Sequence, residues 1–137
     1  MAELPRYEEV EVGMALPPLQ AEPISRHTLA LYCGASGDHN PIHVDIDYAR
    51  AAGMDDVFAH GMLAMAYAAR LVTGWVPQSA VQMLSARFVA LTHVGDRLIC
   101  TGTVAEKLDE RRVRLTLSVA DQSGMQKLAG VAVVVLA

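Results

Sequence analysis

The stretch Gly61 to Leu71, GMLAMAYAARL, restricts the fold more than any other part of this chain. It is rich in strong helix formers, Arg70 is its only charge, and apolar side chains run around nearly the whole circumference of the helix it encodes. Such a helix has no face to give to water, so the rest of the chain must cover it on all sides. What can cover it lies downstream. Residues 80–91, 96–107, 111–120 and 125–137 are rich in Val, Leu and Thr with partial alternation, and turn signals at 94–96, 108–110 and 121–124 separate them. They read as successive antiparallel strands. In VRLTLSVA, Val113, Leu115, Leu117 and Val119 fall on one face while Arg114, Thr116 and Ser118 fall on the other, which leaves one face wet. This order predicts an α+β architecture, an antiparallel sheet wrapped around one central buried helix. The sheet alone would expose an apolar face and an edge strand, so pairing with a second copy or a related subunit is expected.

The 137 residues, 53% of them hydrophobic, suffice for one packed core, and no repeat or linker divides them; a single domain over 1–137 is expected. Upstream of the apolar helix, Glu9 to Leu16 reads as a first strand, broken by LPPL at 16–19. Ser25 is placed as the N-cap of a helix in RHTLALYCGAS that ends near Gly34. A second short helix is expected in DIDYARAAG, with Asp45 or Asp47 near its start and Gly53 as its stop.

Charge excludes some partners. Fifteen acidic residues against 11 basic ones leave a net charge of −4, so there is no general cationic surface for nucleic acid or anionic lipid. Cys33 and Cys100 are far apart and in no metal-like spacing, and read as two reduced, buried thiols. The acidic MAELPRYEEVEVG lacks the features of a signal peptide, and the longest apolar runs fall short of the roughly 20 residues that span a bilayer, so a cytoplasmic chain off the membrane is expected.

The polar chemistry is gathered in GDHNPIHVD, residues 37–45. Three readings compete for it. Asp-x-Asn-Pro is strong turn chemistry, because Asp and Asn bond their own backbone and Pro fixes φ, so the stretch reads as a solvated turn. His39 and His43 have the i, i+4 spacing of metal ligands on a helix, although Pro41 prevents a regular helix through the pair. Alternatively Asp38 and His43 form an acid/base pair, spaced by a loop that Asn40 and Pro41 lock, able to take a proton from one substrate atom and return one to its neighbour. Addition or elimination of water is the simplest reaction of that kind.

At FAHGM, 58–62, the chain enters the apolar helix, so the free N–H groups of the first turn, beginning with Gly61, point out of its positive end. That terminus suits an oxygen gaining negative charge, and glycine lets a carbonyl group come close. The plainer reading makes Gly61 a spacer and His60 a capping or core histidine.

Together, GDHNPIH and AHGM, with ARF at 86–88 and VGD at 94–96 further on, resemble the MaoC-like family of (R)-specific enoyl-thioester hydratases and (R)-3-hydroxyacyl-thioester dehydratases over most of the chain. Within that family, TGWV at 73–76 is similar to the catalytic subunits of the dehydratases of mycobacterial fatty-acid elongation. The resemblance implies a hot-dog fold, the sheet as bun and the Gly61 helix as filling. It implies Asp38 and His43 as the catalytic dyad, the Gly61 N–H as receiver of the thioester carbonyl, and Asn40, His60 and Met62 as residues beside the substrate. Some relatives carry a serine where Ala66 stands, so one polar contact of the family is absent here.

The reaction implied joins 2-enoyl thioesters and (R)-3-hydroxyacyl thioesters reversibly, without a cofactor or a metal, on a coenzyme A or acyl-carrier-protein thioester. A homodimer or a heterodimer with a related hot-dog subunit is implied as well. Two other classes stay open: a hot-dog acyl-thioesterase, in which a carboxylate directs water at the thioester carbonyl, and a non-catalytic acyl-binding subunit, which would not need the dyad. The arginines at 87, 97, 111, 112 and 114 read first as strand-surface charges, with contacts to a pantetheine phosphate as the alternative.

Overall fold

The computed structural model describes residues 3–137. Its first elements differ from the strand expected over 9–16. Tyr7–Glu9 form a turn of 3-10 helix. Beyond it, Gly13 and Leu16 donate N–H bonds to the carbonyls of Val104 and Gly102, and Ala15 makes only an isolated bridge to Thr103. Pro17 and Pro18 have no N–H to offer a ladder, so a regular strand, β1, is confined to Leu19–Gln20.

Three α-helices come next. In α1, Arg26–Ser36, the Ser25 side chain accepts the Thr28 N–H as expected of an N-cap. The helix runs through Gly34 and stops two residues later, because the stop is Gly37, whose φ of +76° is the left-handed conformation that closes helices. In α2, Ile46–Ala51, the Asp45 carboxylate accepts the N–H groups of Asp47 and Tyr48, and Gly53 turns the chain beyond it. The apolar stretch forms α3, Gly61–Thr73.

Four long strands, β2 (Val81–Phe88), β3 (Ile99–Lys107), β4 (Arg112–Ala120) and β5 (Gln126–Val135), complete one antiparallel sheet in the order β1-β3-β4-β5-β2. Pairs such as Cys100 with Val119, Leu117 with Gly130 and Ser85 with Val131 set the register. That register puts Val113, Leu115, Leu117 and Val119 on the inner face, none more than 1% exposed, in keeping with the period-two pattern. The inner face packs on α3, whose Leu63, Ala64, Ala68, Leu71 and Val72 are buried. Each large aliphatic side chain removed from water there contributes about 1.5–3 kcal/mol. This is the sheet around a central helix of the α+β hot-dog fold.

Cover is incomplete in one respect. Met62 on α3 is 53% exposed, Met65, Ala66 and Ala69 are half-buried, and the edge strand β2 carries exposed Met83 and Phe88. Among the described residues, the chain's own sheet therefore leaves one flank of the helix open beside an edge that has no second neighbour. Both cysteines are free and buried. Among the described residues no helix is long and apolar enough to cross a membrane.

Candidate active site

A ladder of short-range bonds sets the direction of the polar loop. The Ser36 hydroxyl donates to the Tyr32 carbonyl at 2.7 Å and accepts the Asp38 N–H at 3.1 Å. One oxygen of the Asp38 carboxylate accepts the Asn40 N–H at 3.2 Å, and Asn40 Oδ1 accepts the Ile42 N–H at 3.1 Å. Pro41 opens the 3-10 turn Pro41–His43, where its missing N–H costs nothing. The turn reading and the acid/base reading are thus compatible: the loop that these bonds shape leaves Asp38 and His43 with side-chain polar atoms within 4.8 Å of each other. Asn40 serves through its side-chain oxygen as a cap on the loop.

His43 is 7% exposed. Its Nδ1 lies 2.7 Å from the Phe58 carbonyl oxygen, and the Phe58 ring meets it edge-on at 5.3 Å. A carbonyl only accepts, so Nδ1 carries the proton and Nε2 presents a lone pair. Phe58 is held in turn by its bridge to His93, and the neighbouring Ala59 donates its N–H to Thr92 at 2.8 Å. The role of Phe58 was invisible beforehand, because the group it supplies is a backbone carbonyl that any residue possesses.

His60, for which a place beside the substrate and a core role were both open, is buried against His43. It is 1% exposed, its ring stacked on His43 at 3.8 Å and 25°. Its Nε2 lies 3.3 Å from the Asp38 carbonyl and 3.5 Å from Cys33 Sγ, and the Tyr32 ring approaches edge-on at 4.7 Å. Burial, and next the charge of His43, push its pKa below the ordinary imidazole value, against the pull of Asp38.

Gly61 is the first residue of α3, so its N–H and that of Met62 have no acceptor within the helix. A side chain there would crowd the approach: a Cβ at Gly61 would stand 3.3 Å from the Phe88 ring. Met62 projects outward from the same turn. Asp38 is at the surface, with a carboxylate oxygen within 4.8 Å of a nitrogen of His43 and of His60, the residue that leads into the helix terminus.

Asp38, His43 and His60 have nitrogen or oxygen atoms within 4.8 Å of one another, which raises the question of a metal. The geometry fits one poorly. Imidazole lone pairs lie in the ring plane, and two rings stacked nearly parallel cannot both aim at one ion roughly 2.0 Å from each. His43 Nδ1 is also committed to Phe58. His39, the other candidate ligand, is exposed and separated from His43 by the 3-10 turn. What the group can do is move protons beside a site that stabilises negative charge.

Cavity volume does not locate this chemistry. A depression of about 460 Å³ on the outer face of the sheet, lined by Ser85, Arg87, Ser118 and Gly130 among others, holds none of these groups. A more apolar cleft of about 330 Å³ lies between α3 and β2, with Ala69, Val72, Val81 and Leu84 in its walls. The convergent polar atoms mark the site better than either.

Residues 9–125 match the family model described as MaoC like domain. The chain is 29% identical over 119 residues to an (R)-specific enoyl-CoA hydratase of Rhodospirillum rubrum, covering 83% of this chain and 81% of that protein. It is 29% identical over 75 residues to a mitochondrial 3-hydroxyacyl-[acyl-carrier-protein] dehydratase of Arabidopsis thaliana, a match to 55% of this chain and only 45% of that longer protein. Among solved structures it resembles the unliganded R-hydratase PhaJ1 of Pseudomonas aeruginosa, with a TM-score of 0.88 and 31% identity over 98% of this chain and 87% of the other.

Proposed function

The chain belongs to the MaoC-like hydratase and dehydratase family, and from that membership we propose that it adds water reversibly to 2-enoyl thioesters, giving (R)-3-hydroxyacyl thioesters, at Asp38, His43 and Gly61. One observation carries the proposal. With Nδ1 fixed on Phe58, His43 has Nε2 left free, a nitrogen of its ring lies within 4.8 Å of an Asp38 carboxylate oxygen, and His60, stacked on that ring, leads into the amide end of α3.

In the dehydration direction, His43 Nε2 takes the proton from the α-carbon. The electron pair moves toward the thioester oxygen, which the Gly61 N–H and the positive end of α3 receive. As the enolate collapses, the bond from the β-carbon to oxygen breaks. The departing hydroxyl, beside Asp38, takes a proton from the Asp38 and His43 pair, which holds the one just removed. Water and a 2-enoyl thioester result, and the pair is restored. No electrons are gained or lost, so the step balances without a redox cofactor.

A second hot-dog subunit, alike or related, is proposed along β2, where an unpaired edge with exposed Met83 and Phe88 adjoins the open flank of α3. The test is to mix the purified chain with crotonyl-CoA and a longer 2-enoyl-CoA, follow loss of the conjugated absorbance, and resolve the product by chiral chromatography. An (R)-3-hydroxyacyl product supports the reading. Release of free thiol without hydration would replace it by thioester hydrolysis.

A further inference from the structure

One buried imidazole touches every part of the candidate site without reaching solvent. The His60 face lies on His43, its Nε2 lies against the Asp38 carbonyl, and its backbone leads directly into Gly61. The opposite ring nitrogen, Nδ1, is buried with no hydrogen-bond partner among the described residues. This selects the tautomer. A proton on Nε2 can be donated to the Asp38 carbonyl and leaves Nδ1 a bare lone pair, whereas a proton on Nδ1 would be a buried donor with no acceptor, the rarer and costlier arrangement. A second proton would put a charged orphan in the same place. The groups facing the ring are Tyr32 and Cys33 from α1, Asp38 and His43, and of these only Asp38 favours a charge there.

We propose that His60 is a positioning residue, a neutral imidazole that ties the Asp38 backbone through its Nε2–H and supports the His43 ring with its face, so that one side chain sets the spacing of acid, base and helix terminus. The role rests on Asp38 and His43 being the reacting groups. His60 itself never meets substrate.

Two replacements separate its functions. His60→Gln can keep a donor toward Asp38 but has no ring, and His60→Phe keeps a ring under His43 but has no donor. In variants that remain folded by circular dichroism, kcat on crotonyl-CoA is expected to fall about 10²-fold, the scale of a small misplacement of reacting groups, with KM little changed. Folded variants with wild-type kcat, or with a change confined to KM, would overturn the role. Imidazole ¹⁵N NMR of the wild type decides the matter without any variant. His60 is expected to titrate below the ordinary imidazole midpoint and, while neutral, to carry its proton on Nε2. An ordinary titration, or a proton on Nδ1, would contradict it. A wild type without hydratase activity would refute the function and the role together; an active wild type with unaffected variants would refute the role alone.

Discussion

The Nδ1 of His43 stands 2.7 Å from the carbonyl oxygen of Phe58, and this contact decides which imidazole nitrogen can act. It also links the loop before α2 to the segment entering α3. Both halves of the proposed site, the Asp38 and His43 pair and the helix terminus, are therefore registered to each other through a side-chain-to-backbone hydrogen bond.

If the Gly61 N–H receives the thioester oxygen, the proton can be deleted with little harm to the helix. Proline is well suited to a first helical position, and His60 already has the extended ψ of 135° that a residue before proline requires. Gly61→Pro is expected to lower kcat about 10²- to 10³-fold, the effect of losing one such donor. Gly61→Ala keeps the N–H but adds a Cβ 3.3 Å from the Phe88 ring, so it serves as the steric control and is expected to lose less activity than the proline variant. Stopped assays with both proteins, alongside their melting temperatures, check this.

Asn40 is expected to matter through its cap. Asn40→Ala removes the acceptor for the Ile42 N–H and should cost about 1 kcal/mol in urea denaturation, while Asn40→Asp, which keeps an acceptor, should recover most of it.

Behind the site, Lys127 is almost wholly buried and donates to the Leu91 carbonyl at 2.7 Å, with Asp96 at 3.5 Å and Asp121 at 3.4 Å. It fastens the loop whose Thr92 accepts the Ala59 N–H. Lys127→Met leaves two acids and a carbonyl without their shared cation, and a loss of about 3 kcal/mol is expected in chemical denaturation.

Stability should fall with acid in two stages. His60 has its pKa lowered on folding, first by burial and then by His43, so the unfolded chain binds more protons as pH drops below about 6.5. Its contribution is complete above that pH and is lost going down from it. Asp121 is held at about 2, first by the Ser123 hydroxyl at 2.6 Å, then by the Met125 and Ser123 amides and Lys127. That contribution is complete above about pH 4 and lost as pH falls toward 2. Denaturation midpoints measured across pH should lose the upper stage in His60→Phe and the lower one in Asp121→Asn.

The central helix, the four long strands and their turns were legible because each is a local pattern: apolar all around for α3, period two for β4. The first strand was not. Gly13 to Leu16 pair with Gly102 to Val104, about ninety residues away, and two prolines then interrupt them. Asp38, His43 and Gly61 could be singled out as a motif by residue type and spacing, and they are the residues proposed to carry the chemistry. Whether His60 faced substrate or the core was not legible, because what it packs against is a ring seventeen positions earlier, stacked only once the chain has folded. The Phe58 carbonyl leaves no mark in a sequence at all.

Steady-state hydration of crotonyl-CoA by the wild type, Asp38→Asn and His43→Ala, each confirmed as folded, tests the central claim most directly. The account predicts a competent wild type, assayed alone or with the proposed second hot-dog subunit, and a fall in kcat of at least about 10²-fold in each variant. Full turnover in both variants would contradict it.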